Sequence, residues 1–140
     1  MLMAGRRTEA AELAAEALGL GARLIVALND ALILGAAWLM YDLGLKEELA
    51  GLLSAKALSP WVRASAAICA GEFDRAASEL EEIGHRPGAA YARLRLARKL
   101  VEEGRRAEAD VALNRALAFY REVGARAYVR EGEALLAASA

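Results

Sequence analysis

The chain has few of the residues that build metal sites, disulfides or β-sheets. It contains one cysteine, Cys69, and one histidine, His85, among 140 residues. One cysteine excludes an intrachain disulfide, and the pair leaves a zinc site without its usual four ligands. Only two prolines are present, β-branched residues are few, and strand-like alternation of apolar and polar residues is missing. With 57% hydrophobic residues, mostly alanine and leucine, the composition predicts an all-α protein.

An excess of charge of either sign is also lacking. The chain has 18 basic and 19 acidic residues, a net charge of −1, so global electrostatics give no reason to expect contact with nucleic acid or an anionic membrane. The N-terminus carries charge where a secretion signal needs its apolar region, and a cytoplasmic location is therefore expected. The phosphate-binding pattern GxxxxGK[ST] is missing, and no cofactor is expected.

Neither reactive side chain has the surroundings of a catalytic group. His85 lies in the turn Gly84-His85-Arg86-Pro87-Gly88 and has no recognisable nucleophile motif beside it, so we interpret it as a solvent-exposed turn residue. Cys69 lies on an apolar helix and is expected to be a small core residue. The sequence therefore predicts a binding protein and not an enzyme.

The longest apolar run, residues 24–40, does not predict a membrane span. Its eight large aliphatic residues favour insertion by about 4 kcal/mol, whereas Asn29, Asp30 and Gly35 near its centre oppose insertion by a similar amount or more. A helix covered on several sides by its neighbours explains the run better. Asp30 then needs water, a capping role or a partner such as Arg23, because an unpaired buried carboxylate is costly.

The segment from Tyr91 to Leu117 has the pattern of two helices joined by a turn at Gly104. Its spacing resembles the tetratricopeptide repeat (TPR). Relative to its turn glycine, that family places an apolar residue eight before, a small one seven before, a bulky one four before, an alanine five after, a large residue nine after and an alanine twelve after. The corresponding residues are Leu96, Ala97, Leu100, Ala109, Leu113 and Ala116. Arg93 and Arg106 stand where the family usually has aromatic residues.

The same pattern recurs along the chain at multiples of 33 residues. Residues 5–18 and 104–117 lie 99 positions apart and are identical at seven of fourteen positions. A third copy starts at Gly71, with Phe73, Ala76 and Leu80 in the family positions. The turn of a fourth copy, in the same 33-residue register, would fall near Trp38. The nearest turn is instead at Gly44, which predicts a distorted second repeat.

The repeats predict a right-handed solenoid of antiparallel helix pairs with about eight helices, forming a single TPR-like domain over residues 1–140. The expected helices cover residues 7–18, 22–43, 46–56, 60–70, 72–83, 88–103, 105–123 and 126–138. Ser59 and Pro60 predict an N-cap and a first helical position.

The first helix, 7–18, aligns with the second helix of a repeat and lacks its first. An amphipathic helix in this position exposes the face that its missing partner would cover. One interpretation is that the chain is a fragment of a longer protein. The alternative is a natural short protein whose first helix caps the stack or forms a homodimer.

The tail, residues 116–140, resembles the end of the helical-repeat region in large, mostly actinobacterial signalling proteins that join an ATP-binding domain to a nucleotidyl cyclase or DNA-binding domain. The residues that carry this resemblance are Ala116, Leu117, Phe119, Tyr120, Gly124, Ala125, Ala127, Arg130, Glu131, Ala134 and Leu135. The resemblance implies a regulatory arm of a bacterial signalling or transcription regulator and no catalytic residue.

In a solenoid of helix pairs, the first helix of each pair lines a concave groove. The residues expected on this groove are Trp38, Tyr41, Trp61, Ser65, Tyr91, Leu94, Arg98 and Glu102. Aromatic rings beside an arginine suit a protein or peptide segment. The alternatives are core packing for Trp38 and Trp61, a homodimer, and a groove that senses a peptide or small ligand.

A basic cluster borders this expected groove. It consists of Arg93, Arg95, Arg98, Lys99, Arg105 and Arg106. Acidic residues intervene, and long helices flank Gly104 instead of a short recognition helix, so we predict a solvated charged face and no contact with nucleic acid.

Overall fold

The computed structural model describes residues 8–14, 16, 30–53 and 59–139, which are helices and tight turns without a strand. Helix α1 includes residues 8–14 and 16. The remaining helices are α2 (Asp30–Leu43), α3 (Lys46–Leu53), α4 (Pro60–Cys69), α5 (Phe73–Glu82), α6 (Arg86–Glu102), α7 (Arg106–Glu122) and α8 (Arg126–Ser139). The all-α prediction is confirmed, and the parts of the predicted helices over residues 17–29 and 54–58 lie outside the described residues.

Five of the turns between consecutive helices, those that the structure describes around a glycine, are built in the same way. Gly104 has φ +76°, its N–H donates to Val101 O at 3.0 Å, and the N–H of Arg105 donates to Leu100 O at 2.8 Å. This pair of hydrogen bonds is the Schellman motif, which favours glycine because an L-residue is strained at positive φ. The same bonds recur at Gly44, Gly71, Gly84 and Gly124. The predicted turns at these glycines, including the displaced turn at Gly44, are confirmed.

Helix α6 begins two residues earlier than predicted because His85 caps it. The His85 Nδ1 accepts a hydrogen bond from the Gly88 N–H at 3.1 Å. A proline is tolerated in the first helical turn, where its missing N–H has no helical partner, so Pro87 lies inside α6. The interpretation of His85 as a plain exposed residue is therefore wrong, since its side chain is half-buried and begins a helix.

The chain divides into two compact units, Met1–Glu72 and Phe73–Ala140. In the first unit α2 and α3 both pack on α4 and on each other. Its core includes Ile33, Ala37, Leu49, Leu53, Ala64, Ala67 and Ile68, each at most 2% exposed. The expectation that residues 1–140 act as a single repeat domain stays a prediction.

In the second unit each helix packs on the next, and α6 also contacts α8. The core cluster consists of Ala90, Leu94, Ala97, Ala112, Leu113, Ala116, Leu117 and Tyr120. Alanines at the crossing points let the helix axes approach closely, and each fully buried leucine stabilises the fold by about 1.5–3 kcal/mol. Ala97, Ala109 and Ala116, the small residues of the repeat pattern, are 0% exposed. The predicted hairpin around Gly104 is confirmed.

An ion pair and a hydrogen bond in the second unit show that neighbouring helices run antiparallel. Arg86 at the start of α6 donates to Glu122 at the end of α7, with Nη1 to Oε1 at 3.0 Å. Arg106 at the start of α7 donates to the Ala138 carbonyl oxygen near the end of α8 at 3.2 Å. Antiparallel neighbours are what short helix connections require.

Candidate functional site

The face formed by α6 and α8 displays two tyrosines and an ion pair. Tyr91 on α6 and Tyr128 on α8 make an edge-to-face contact, with ring centroids 6.2 Å apart and planes at 75°. Arg98 on α6 donates to Glu131 on α8. We call the surface of these four residues the α6/α8 face.

Repeat geometry brings the α6/α8 face together. Arg98 and Glu131 are 33 residues apart, the length of one repeat, so they occupy equivalent positions on successive first helices. Their side chains are 44% and 38% exposed, and Tyr128 is 40% exposed. The face is therefore open to a partner while its own contacts hold the side chains in place.

A second aromatic contact holds the ring of Tyr128 in place. Its ring stacks on that of Tyr120, with centroids 4.7 Å apart and planes at 13°. The Tyr120 hydroxyl is buried and has no hydrogen-bond partner among the described residues, and burial raises its pKa well above the ordinary value of a tyrosine. The stack limits the rotamers of Tyr128, which lowers the entropy cost of using it in binding.

The residues predicted for the groove are divided between the two units. Trp38, Tyr41 and Trp61 lie in the first unit and are half-buried, and the Lys46 ammonium lies 5.6 Å from the centre of the Tyr41 ring. Tyr91 and Arg98 are half-buried in the second unit, and Glu102 is exposed at the end of α6. That these residues form one continuous groove stays a prediction.

Two of the expected groove residues are core residues. Leu94 and Ser65 are both 0% exposed, so neither side chain lines an open surface. Leu94 packs in the core cluster of the second unit, where α7 covers it. The error arises because helical spacing shows which residues share a face but not which face the next helix covers.

Three residues of the basic cluster, Arg93, Arg98 and Arg105, pair with carboxylates from neighbouring helices and turns. Arg93 pairs with Glu81 of α5 at 2.6 Å, and Arg105 pairs with Glu108 at 2.6 Å and with Glu103 at 3.2 Å. Hydrogen bonds from these arginines hold the pKa values of Glu81 and Glu108 below their usual range. That this charged face does not contact nucleic acid stays a prediction.

The sequence does not reveal a groove bounded by α5, α6 and α7. A depression of about 640 Å³ has an apolar floor that includes Leu96, Leu100 and Ala112, with Val111 exposed at its edge. A second depression of about 500 Å³ is lined by Ala89, Ala90 and Phe119, and the two share Arg93 and Arg115. We call the two together the α5/α7 groove. Its lining comes from three helices, so no local pattern predicts it.

The described residues contain no group of three side chains suited to holding a metal ion. Cys69 is a free thiol, 3% exposed, and burial raises its pKa to about 11, so it carries little thiolate near neutral pH. The prediction of a core cysteine is confirmed. None of the described helices is long and apolar enough to cross a membrane.

Comparison with known proteins agrees with this architecture. The family model of the tetratricopeptide repeat matches residues 67–137, about half of the chain. No curated protein and no solved structure gives a significant match. Repeats of this family generally mediate protein–protein interaction. The match, with the repeated helix pairs and the glycine turns, shows that this chain belongs to the tetratricopeptide repeat family.

Proposed function

We propose that the chain is a non-catalytic interaction module that binds a protein or peptide segment on the α6/α8 face. The observation that carries this proposal is the pairing of an exposed, stacked tyrosine with an arginine–glutamate pair on one surface. Tyrosine and arginine dominate the energetics of protein interfaces because they combine apolar area with hydrogen-bond donors. A partner acid can compete for Arg98 while its apolar side chains pack on Tyr91 and Tyr128.

We place this module in a cytoplasmic regulator of bacterial signalling or transcription. The support is the resemblance of residues 116–140 to the repeat regions of such regulators, in which the repeats form an arm and the chemistry lies in other domains. Among the residues that carry this resemblance, Tyr120 stacks on Tyr128, Gly124 forms the turn before α8, and Glu131 pairs with Arg98.

A peptide library displayed on phage, selected against the chain, tests the binding proposal. Affinities of enriched peptides are measured by fluorescence anisotropy for the wild type and for the double variant Tyr91→Ala, Arg98→Ala. We expect the double variant to weaken binding about tenfold or more, as the loss of interface anchors does.

Val123→Ala is the matched control, because Val123 is 55% exposed and lies in the turn after α7. Its affinity should equal that of the wild type. Failure to enrich any peptide, or equal affinity of the double variant with its helical circular dichroism unchanged, would contradict the proposal.

A further inference from the structure

The α6/α8 face covers a hydroxyl group that makes no hydrogen bond with the described residues. Tyr120 on α7 is 4% exposed, and its Oη is buried. Buried hydroxyls in folded proteins are nearly always hydrogen-bonded, because an unpaired one gives up its contacts with water and gains nothing in return. A bound segment that supplies the missing hydrogen bond therefore gains affinity at this position.

The Tyr120 hydroxyl lies toward the residues of the α6/α8 face. Burial is the main cause that raises its pKa above the ordinary value of a tyrosine, and Tyr128, Tyr91 and Glu131 raise this pKa further. Electrostatic effects decline with distance, and these three residues all belong to the α6/α8 face. Because its pKa is raised, the hydroxyl keeps its proton at neutral pH and is available as a hydrogen-bond donor.

The side chain that stacks on Tyr120 is itself at the surface. The rings of Tyr128 and Tyr120 have centroids 4.7 Å apart and planes at 13°, and Tyr128 is 40% exposed. A change of the Tyr128 rotamer moves its ring off Tyr120 without displacing a core side chain, and the loss of one aromatic pair is a modest cost. A bound segment can therefore displace this cover.

A hydrogen-bond acceptor lies one helical turn from the cover. Glu131 follows Tyr128 by three residues on α8, so the two share one face of the helix. Its carboxylate accepts a hydrogen bond from Arg98. In the proposed function an acid of the partner competes for Arg98, and Glu131 then loses its donor. The bound segment has to supply a new donor, because an unpaired carboxylate in an interface is costly.

We propose that the α6/α8 face recognises a carboxamide, the side chain of an asparagine or glutamine in the bound segment. The Tyr128 ring turns from Tyr120 onto that segment, the carboxamide oxygen accepts a hydrogen bond from Tyr120 Oη, and the carboxamide nitrogen donates to Glu131. A carboxamide is neutral and carries an acceptor beside a donor, so it suits this position better than a charged group. This inference rests on the proposed function, since it names the side chain that the peptide-binding face selects.

A double-mutant cycle with the peptides enriched by phage selection tests the proposal. We expect these peptides to share an asparagine or glutamine. Replacing it with leucine or methionine, which have a similar shape and no amide, should weaken binding to the wild type about tenfold or more. Tyr120→Phe should weaken binding of the original peptide about tenfold. Together the two changes should weaken binding little more than the peptide change alone, because both remove the same hydrogen bond.

Two further measurements separate this role from a structural one. Tyr120→Phe should melt at the wild-type temperature or above it, because removing an unpaired buried hydroxyl does not destabilise the free chain. Ser78→Ala is the control for the loss of a hydroxyl, since the Ser78 hydroxyl is exposed on α5 and donates to the Asp74 carbonyl oxygen. Its affinity for the peptide should equal that of the wild type.

Three results would overturn the proposal. One is equal affinity of the wild type and Tyr120→Phe for the enriched peptides, and another is a pair of changes whose effects on affinity multiply in full. The last is a lower melting temperature of Tyr120→Phe, which would mean that the free chain already satisfies the hydroxyl. If Tyr91→Ala with Arg98→Ala weakens peptide binding and Tyr120→Phe does not, the proposed function stands and the carboxamide inference fails. If the selection enriches no peptide, both fail.

Discussion

At the residue scale, Ser65 shows how burial changes the role of a polar side chain. It lies on α4, is 0% exposed, and its Oγ has no hydrogen-bond partner among the described residues. A buried hydroxyl without a partner costs about 1–3 kcal/mol, and serine is also a poorer helix former than alanine. Spacing along the helix places Ser65 on the same face as Trp61 but does not reveal that neighbours close over it.

The variant Ser65→Ala is therefore expected to raise the free energy of unfolding by about 1 kcal/mol. Urea titration followed by circular dichroism measures this change. Ala66→Ser, at the exposed neighbouring position, is the control and should lower the stability by only a few tenths of a kcal/mol. A less stable Ser65→Ala chain would mean that the hydroxyl has a partner.

Cys69 carries the second prediction at this scale. A pKa of about 11, raised by burial and, less strongly, by Glu47, makes the native thiol unreactive at pH 8. We expect Ellman's reagent to react with Cys69 only as fast as the chain unfolds, and completely within the mixing time in denaturant.

The same shift predicts the pH dependence of stability. A thiol with a raised pKa in the folded state contributes stability below its unfolded pKa and loses that contribution as the pH rises toward 11. Stability should therefore fall between pH 9 and pH 11 more steeply in the wild type than in Cys69→Ala. Equal slopes of stability against pH in the two proteins would contradict the assignment of this pH dependence to Cys69.

At the element scale, the packing of α8 on α7 depends on a glycine inside a helix. A Cβ on Gly132 would lie 2.6 Å from Cδ2 and 3.1 Å from Cγ of Leu117, which is 0% exposed. Glycine weakens a helix by about 1 kcal/mol relative to alanine, so its presence in α8 is explained by this close approach. The α6/α8 face depends on it, because Tyr128 and Glu131 are held by the docking of α8.

Gly132→Ala is expected to lower the free energy of unfolding by about 1 kcal/mol, since overpacking a buried contact costs about 1–3 kcal/mol and exceeds the gain in helix propensity. Gly35→Ala is the matched control, because Gly35 lies in α2 with open space where its Cβ would stand. That control should gain up to about 1 kcal/mol. Thermal melts of the two variants should shift in opposite directions, and shifts in the same direction would contradict this account.

At the scale of the whole molecule, the second unit has a core of its own. It consists of residues 73–140, its cluster of eight buried residues lies on α6 and α7, and the family match covers most of the unit. Units of this size bury only about 60% of their surface, so their stability is marginal but sufficient for folding.

A chain beginning at Phe73 is therefore expected to fold alone, with a helical circular dichroism spectrum and a cooperative melt. Its free energy of unfolding should be a few kcal/mol, smaller than that of an average domain. The matched control carries Leu113→Ala, which removes a core side chain that is 1% exposed and should unfold the fragment. A coil spectrum for the unmodified fragment would show that its core needs residues before Phe73.

The sequence by itself determines the helices, the turns and the family. A period of 3.6 residues and a glycine that accepts positive φ are local properties, so spacing along the chain is enough to assign Gly104 to a turn and Ala109 and Ala116 to a buried helix face. The tertiary structure decides which side chains remain accessible, because that depends on helices a full repeat away. Leu94 is covered by α7, and Arg98 pairs with Glu131, which lies 33 residues later in the chain. The α5/α7 groove exists only where three helices meet. Binding surfaces in a repeat protein therefore depend on contacts between helices, whereas the repeat itself is encoded within each helix and turn.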